Sequence, residues 1–287
     1  MIKILVTGSK GQLGSALLKL GNNFTDYNFC FTDINDLDLV NFSEVEKYVI
    51  TQHIDVIINC AAYTNVEKAE GELSIANDIN HLAVENLAQI AKKFHLKIIH
   101  ISTDYVFDGN SSEPYTETDI PNPKSVYGLT KLKGERALLK INPKNSIIIR
   151  TSWLYSIYGH NFVKTILKLA GEKERISVVS DQIGSPTYAN DLAQAILQMV
   201  PLLKNKTVQI YHFANKGACS WFQFAEEIIK LSKNTCEVEP ITSEKFETKV
   251  NRPRFSLLNT ENIETAFQLK IPYWKDSLKR CLLEVKS

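Results

Sequence analysis

No stretch of this 287-residue sequence approaches the roughly 20 consecutive apolar residues of a membrane-spanning helix, so a bilayer is not the expected solvent. Charge of one sign is missing too. Lys and Arg number 33 against 32 Asp and Glu, a formal net charge of +1. Without a basic run, neither nucleic acid nor an anionic lipid surface is expected as a partner. Cysteine is sparse and unpatterned: Cys30, Cys60, Cys219, Cys236 and Cys281 are odd in number and never spaced Cys-x-x-Cys. That argues against a disulfide framework and for reduced thiols in a cytoplasmic protein. No His, Cys and carboxylate cluster has metal-ligand spacing, so no metal is expected. Low-complexity segments and internal repeats are absent. The apolar (44%) and charged (23%) fractions are those of an ordinary folded chain, which removes disorder from consideration.

What is present is a rhythm. The opening run Met1–Val6 is too short for the core of a signal peptide and reads as a buried strand, Lys3–Thr7, that turns into a glycine loop. Further strands are expected at Asn28–Thr32, Asp55–Asn59, Lys97–Ile101 and Ser146–Arg150. Between them fall helical patterns at Gly11–Leu20, from Ser43 to about Thr51, at Ser74–Phe94, and from Pro123 to about Lys140. Ser43 and Glu46 form a capping-box pattern. The strands are continuously apolar, which requires cover on both faces. The expected fold is α/β, a doubly wound parallel sheet of the Rossmann type with a smaller C-terminal domain. Beyond Arg150 the alternation loosens, with helices at Phe162–Ala170, Ala189–Met199 and Ser220–Leu231 and short strands at Ile176–Val179 and Gln209–Phe213. The expected division is a dinucleotide-binding domain over 1–150 and a mainly substrate-binding domain over 151–287, which can return strands or helices to the first.

Gly8-Ser-Lys-Gly11-Gln12-Leu13-Gly14 is Gly-x-x-Gly-x-x-Gly between an expected strand and helix. Glycines let the backbone approach a pyrophosphate, and free N–H groups at the helix start bind the anion. Alone the triplet is weak, but Asp33 ends the next strand about 20 residues on, where a carboxylate accepts from the adenosine ribose hydroxyls. Asp33 favours NADH, while Lys10 in the loop leaves NADPH open. Tyr127 and Lys131 stand at i and i+4 on a helix, so phenol and ammonium share one face. A reductase needs an acid to protonate the alkoxide formed when hydride reaches a ketone, and the ammonium is expected to lower the phenol's pKa. On its own Tyr-x-x-x-Lys is common on helix surfaces. Ser102 and Thr103 at a strand's carboxyl end supply the hydroxyl beside the phenol that lifts it above that bland reading.

The chain resembles the extended short-chain dehydrogenases and, within them, the dTDP-4-dehydrorhamnose reductase family. The likeness runs over nearly the whole chain. Its most specific stretches are Asn59–Glu70, Ser102–Gly109 (Ser-Thr-Asp-Tyr-Val-Phe-Asp-Gly), Arg150–Tyr155 and Asp181–Thr187. The resemblance implies NADH- or NADPH-dependent reduction of dTDP-4-dehydro-L-rhamnose to dTDP-L-rhamnose for surface polysaccharide synthesis. It makes Thr103, Tyr127 and Lys131 catalytic, and Asn80 the asparagine that supports the lysine. It lines the cofactor with Gly11, Gln12, Leu13, Asp33, Asp38, Leu39, Ala61, Ala62, Tyr63 and Thr64, and the sugar with Thr103, Asp104, Tyr105 and Trp153. Some relatives are metal-linked dimers using acidic side chains; Ser15, just past the glycine loop, supplies none. A homodimer stays open. So do two other functions, reduction of a different 4-keto deoxysugar nucleotide and a non-catalytic regulatory role on the same fold.

Other residues have blander readings. His100, inside an apolar strand, reads as a hydrogen-bonded core residue rather than a base. Trp221 and Phe222 read as packing. Arg252 and Arg254 read equally as grips for a diphosphate or as an exposed loop.

Overall fold

The computed structural model describes residues 1–246, 250 and 252–286. Six parallel strands form one sheet: β1 (Ile2–Thr7), β2 (Tyr27–Thr32), β3 (Val56–Asn59), β4 (Lys97–Thr103), β5 (Ile147–Thr151) and Gln209–Phe213. Their spatial order is β2, β1, β3, β4, β5 and then Gln209–Phe213. Consecutive residues of β1 and β3 (Ile4, Leu5, Val6; Val56, Ile57, Ile58) are all buried. Successive side chains point to opposite faces, so the sheet must be covered on both.

The covering helices are α1 (Gln12–Gly21), α2 (Phe42–Gln52), the short α3 (Val66–Ala69) and α4 (Leu73–Asn77), α5 (Ala83–Phe94) and α6 (Val126–Ile141). Ile4, Val6, Ile58 and Ile149 meet α1 and the helix Ala189–Met199 on one face. Leu5, Ile57, Ile98 and Ile148 meet α2, α5 and α6 on the other. β2 and β3 lie on opposite sides of β1, so the winding reverses there and a crevice opens at the carboxyl ends of β1 and β3.

A second core sits over that crevice. Tyr155, Val163, Phe224, Ile228, Trp274 and Leu278 join the helices Phe162–Glu172, Trp221–Ser232 and Trp274–Lys286 with the parallel pair Arg175–Val179 and Glu237–Ile241. Two segments of this half return to the sheet, Ala189–Met199 as cover and Gln209–Phe213 as the strand beside β5. No helix among the described residues is long and apolar enough to cross a membrane.

The doubly wound reading holds, with corrections at element ends. Asn41, not Ser43, caps α2, its side chain accepting from the Glu44 N–H at 3.2 Å. α6 starts at Val126 under a Ser125 cap, leaving Pro123 outside. The expected helix Ser74–Phe94 is broken by a π turn at Asp78–Leu82, a deviation that often sits at functional sites.

Candidate active site

A cleft of about 840 Å³ runs along the carboxyl edge of the sheet. Its lining takes in Gly8, Gly11, Gln12, Leu13, Gly14, Asp33, Asp38, Leu39, Ala61, Ala62 and Thr64, the residues expected to hold a cofactor. Thr103, Asp104, Tyr105, Tyr127, Lys131 and Trp153 line it too. Tyr63 is the exception. Its phenol donates to Glu72 at 2.5 Å on the exposed side, and its N–H donates to Asn80 Oδ1 at 2.9 Å.

The glycine loop fits a dinucleotide on its own geometry. Gly11 precedes α1 as its N-cap without a capping side chain, so the first helical N–H groups face the cleft unclaimed by one. A Cβ on Gly14 would overlap the Gly8 carbonyl, so the loop closes only around glycine there. Asp33 Oδ2 accepts from the Lys10 N–H at 2.9 Å, joining the end of β2 to the glycine loop. Gln12 ties that loop to the other half. Its Nε2 donates to the Leu154 carbonyl (3.3 Å), and its Oε1 accepts from Ser156 Oγ (3.1 Å) and Asn161 Nδ2 (3.0 Å).

Around Tyr127, α6 is pressed onto the turn after β4, where a Cβ on Gly128 would overlap the Tyr105 carbonyl. The close approach brings Tyr127 into the cleft that Thr103 also lines and sets its ring edge-on to Tyr105 at 5.5 Å. The acidity is not as expected. Burial pushes the Tyr127 phenol up to about 12, Thr103 opposes that rise, and Asp104 adds to it. The group is therefore a firmly protonated donor at neutral pH rather than one readied by ammonium. Burial brings Lys131 down to about 8, against the pull of Glu135.

Lys131 Nζ donates to the Ile101 carbonyl at 2.6 Å and lies 3.4 Å from His100 Nε2. Asn80 does not touch it directly. Its side chain donates to the Tyr63 carbonyl and Thr130 Oγ1, both at 3.1 Å, and so braces the π turn against α6. His100 is buried, as its core reading expects, but it also belongs to the site. The Ala61 N–H can only donate, so its 3.2 Å bond to Asn59 Oδ1 fixes that amide. Asn59 Nδ2 then donates to His100 Nδ1 at 3.1 Å, leaving the imidazole proton on Nε2, toward the lysine amine.

Beneath the cleft, Arg150 and Glu135 form a bidentate pair (Nε–Oε1 2.9 Å, Nη2–Oε2 2.7 Å), and Ser102 Oγ donates to the same carboxylate at 2.5 Å. Ser102 thus braces the floor, while Thr103, the next residue, serves the cleft. Sequence reasoning missed Glu135, although it continues the Tyr127–Lys131 helical stripe by one more turn. Nothing local could have found Gly159, His160 or Asn161, loop residues that line the cleft only through tertiary folding. Arg252 and Arg254 are outside the cleft lining and face Glu67 (3.3 Å) and Glu244 (3.9 Å).

Asp104 carries a measurable consequence. The carboxylate is buried, and its Oδ1 accepts from Thr103 Oγ1 at 3.0 Å. Burial raises its pKa from the ordinary 3.8 to about 6, against the opposing pull of the Ser256 and Thr103 hydroxyls. Between those values the folded protein binds the proton more tightly than the unfolded chain, so stability falls as pH rises through that window. Asp104→Asn should therefore melt above wild type at pH 7.5 and level with it near pH 4. A Tm gap independent of pH would contradict this.

The comparisons with known proteins agree with the geometry. The family model described as the RmlD substrate binding domain matches residues 2–287. A protein of Aggregatibacter actinomycetemcomitans named dTDP-4-dehydrorhamnose reductase is 42% identical, over 97% of this chain and 98% of its own. A solved structure of that name from Clostridium acetobutylicum superposes with a TM-score of 0.93 at 39% identity, covering 100% of both chains. Another from Bacillus anthracis, in complex with NADP, gives 0.92 at 38% identity and covers 99% of each. A chain matched along its whole length by that model and those relatives belongs to the RmlD substrate binding family, the family of the dTDP-4-dehydrorhamnose reductases.

Proposed function

We propose that this protein is an NADH- or NADPH-dependent oxidoreductase that reduces dTDP-4-dehydro-L-rhamnose to dTDP-L-rhamnose, a step toward surface polysaccharide precursors. The observation that carries the reading is the convergence of Thr103, Tyr127 and Lys131 in the cleft that the glycine loop opens. Bound NADH or NADPH supplies the hydride. Thr103 and Tyr127 hold the ketone oxygen by their hydroxyls. As that oxygen becomes an alkoxide, a stronger base than a phenolate, the Tyr127 O–H bond breaks and the proton passes to the product. Lys131, one helical turn further along α6 and anchored on the Ile101 carbonyl, holds the nicotinamide ribose of the bound cofactor. Asp104, Tyr105 and Trp153 supply the walls for the sugar. In this reading residues 1–150 hold the cofactor and 151–287 mainly the substrate, with Ala189–Met199 and Gln209–Phe213 lent to the first part.

Purified protein should oxidise NADH when given dTDP-4-dehydro-L-rhamnose and release dTDP-L-rhamnose. The sugar stripped of its nucleotide should be a poor substrate, because remote contacts are what position the reacting carbonyl. Cofactor binding without turnover on any 4-keto nucleotide sugar would leave the regulatory role standing instead. Turnover on another sugar alone would overturn only the named substrate.

A further inference from the structure

We propose that Trp221 is a positioning residue for the sugar end of the cleft. It pins the Trp153 indole as the wall against which the pyranose ring of a nucleotide sugar rests. The inference builds on the reading of function above and concerns a residue outside the cleft lining.

Trp153 lies two residues past the end of β5 and has φ +46°, in the left-handed region that a bulky side chain enters only when its surroundings hold it there. Three contacts do so. The Trp221 ring stacks on the Trp153 ring with centroids 3.5 Å apart and planes 9° from parallel. Gly184 leaves room for the indole's other edge, since a Cβ there would lie 2.6 Å from Cε2 and 2.8 Å from Cζ2 of Trp153. The Thr187 N–H donates to the Trp153 carbonyl at 3.2 Å.

Trp221 is itself fixed. It is the first residue of the helix Trp221–Ser232, behind a complete capping box in which Ser220 and Gln223 bond each other's backbone. Cys219 and Ser220 pair antiparallel with Gly184 and Ile183, so one small ribbon carries both the stacking partner and the gap. Phe162 closes behind Trp221 at 4.5 Å. With one face taken and one edge confined, the Trp153 indole cannot swing, and it stays in the cleft that Thr103, Tyr105 and Tyr127 also line. A held aromatic surface suits the C–H face of a pyranose. Removing Trp221 frees the wall without touching the hydroxyls, the lysine or the glycine loop.

The test pairs kinetics with far-ultraviolet circular dichroism. Stacked indoles couple, so wild type and Trp274→Phe should show an exciton couplet that Trp153→Ala and Trp221→Ala both lack. Trp221→Ala should raise KM for the nucleotide sugar about five- to tenfold, the scale of one aromatic contact, with KM for NADH and kcat within about twofold. Trp221→Phe should recover most of the loss. Trp221→Leu, which keeps an apolar side chain but no ring to stack, should raise the same KM and decides the matter if Trp221→Ala fails to fold. An unchanged sugar KM, or one that rises in step with the NADH KM, would overturn the proposal. A wild-type protein inactive on the nucleotide sugar would sink the functional reading instead. The wall would then stand or fall on the couplet.

Discussion

Tyr127→Phe is expected to cut turnover by roughly 100-fold or more, the usual weight of a general acid, while Tm and cofactor affinity stay near those of wild type. The ring remains, so its edge-on packing against Tyr105 at 5.5 Å and the seating of α6 remain. What disappears is one O–H, the proton that the proposed mechanism passes to the product. Because burial holds that phenol near 12, the wild-type proton is present throughout the working pH range. The acid itself should therefore impose no loss of rate between pH 6 and 9. Lys131, brought down to about 8, loses its charge within that range, so a decline in rate there belongs to the lysine and not to the acid. Measured kcat against pH for both proteins checks the assignment. A Tyr127→Phe variant that turns over within a few-fold of wild type would mean that another group delivers the proton.

Arg150→Leu is expected to cost about 3–5 kcal/mol, because it strands the Glu135 carboxylate in the interior without its counter-charge. Both side chains are at most 2% exposed, so water cannot substitute. Arg150 also lies over the Phe107 ring at 5.1 Å, and the same substitution removes that cation–π interaction. For a chain of this size the Tm should fall by roughly 6–20 °C. Replacing Glu135 by Met in the same protein should restore much of it, since a buried pair exchanged for apolar side chains is often neutral. Calorimetry on the single and double variants reads the coupling directly. A single variant that melts within about 2 °C of wild type would show the pair to be dispensable.

How much of this was written in the sequence differs by element. The sheet was legible because β1, β3 and β5 carry continuous apolar runs, Ile4–Val6, Val56–Ile58 and Ile147–Ile149, which fit strands covered on both sides. Glu237–Ile241 was not. It contains Pro240, and none of its residues is buried, as befits the edge of a two-stranded ribbon. The helix Trp274–Lys286 went unnoticed although Trp274, Leu278, Cys281 and Leu282 mark a helical stripe. In the site, Thr103, Tyr127 and Lys131 could be read because a strand end and one helical turn set their relation. The tautomer of His100 and the Gln12 bonds to Leu154, Ser156 and Asn161 could not, for they join groups far apart along the chain. The π turn also escaped notice, because its residues keep the helical apolar spacing on both sides.

The place of Gln209–Phe213 beside β5 bears on how the chain is made. Until that strand arrives, β5 is a bare edge of Ile147–Thr151, every residue of which is buried in the finished protein. An open apolar edge of this kind is a template for pairing with another chain. Translation must add roughly 60 residues after β5 before the edge is sealed, which at 5–20 residues per second takes about 3–12 s. A nascent chain stalled in that interval, or a gene cut after residue 150 to liberate a cofactor-binding module, should therefore yield insoluble protein.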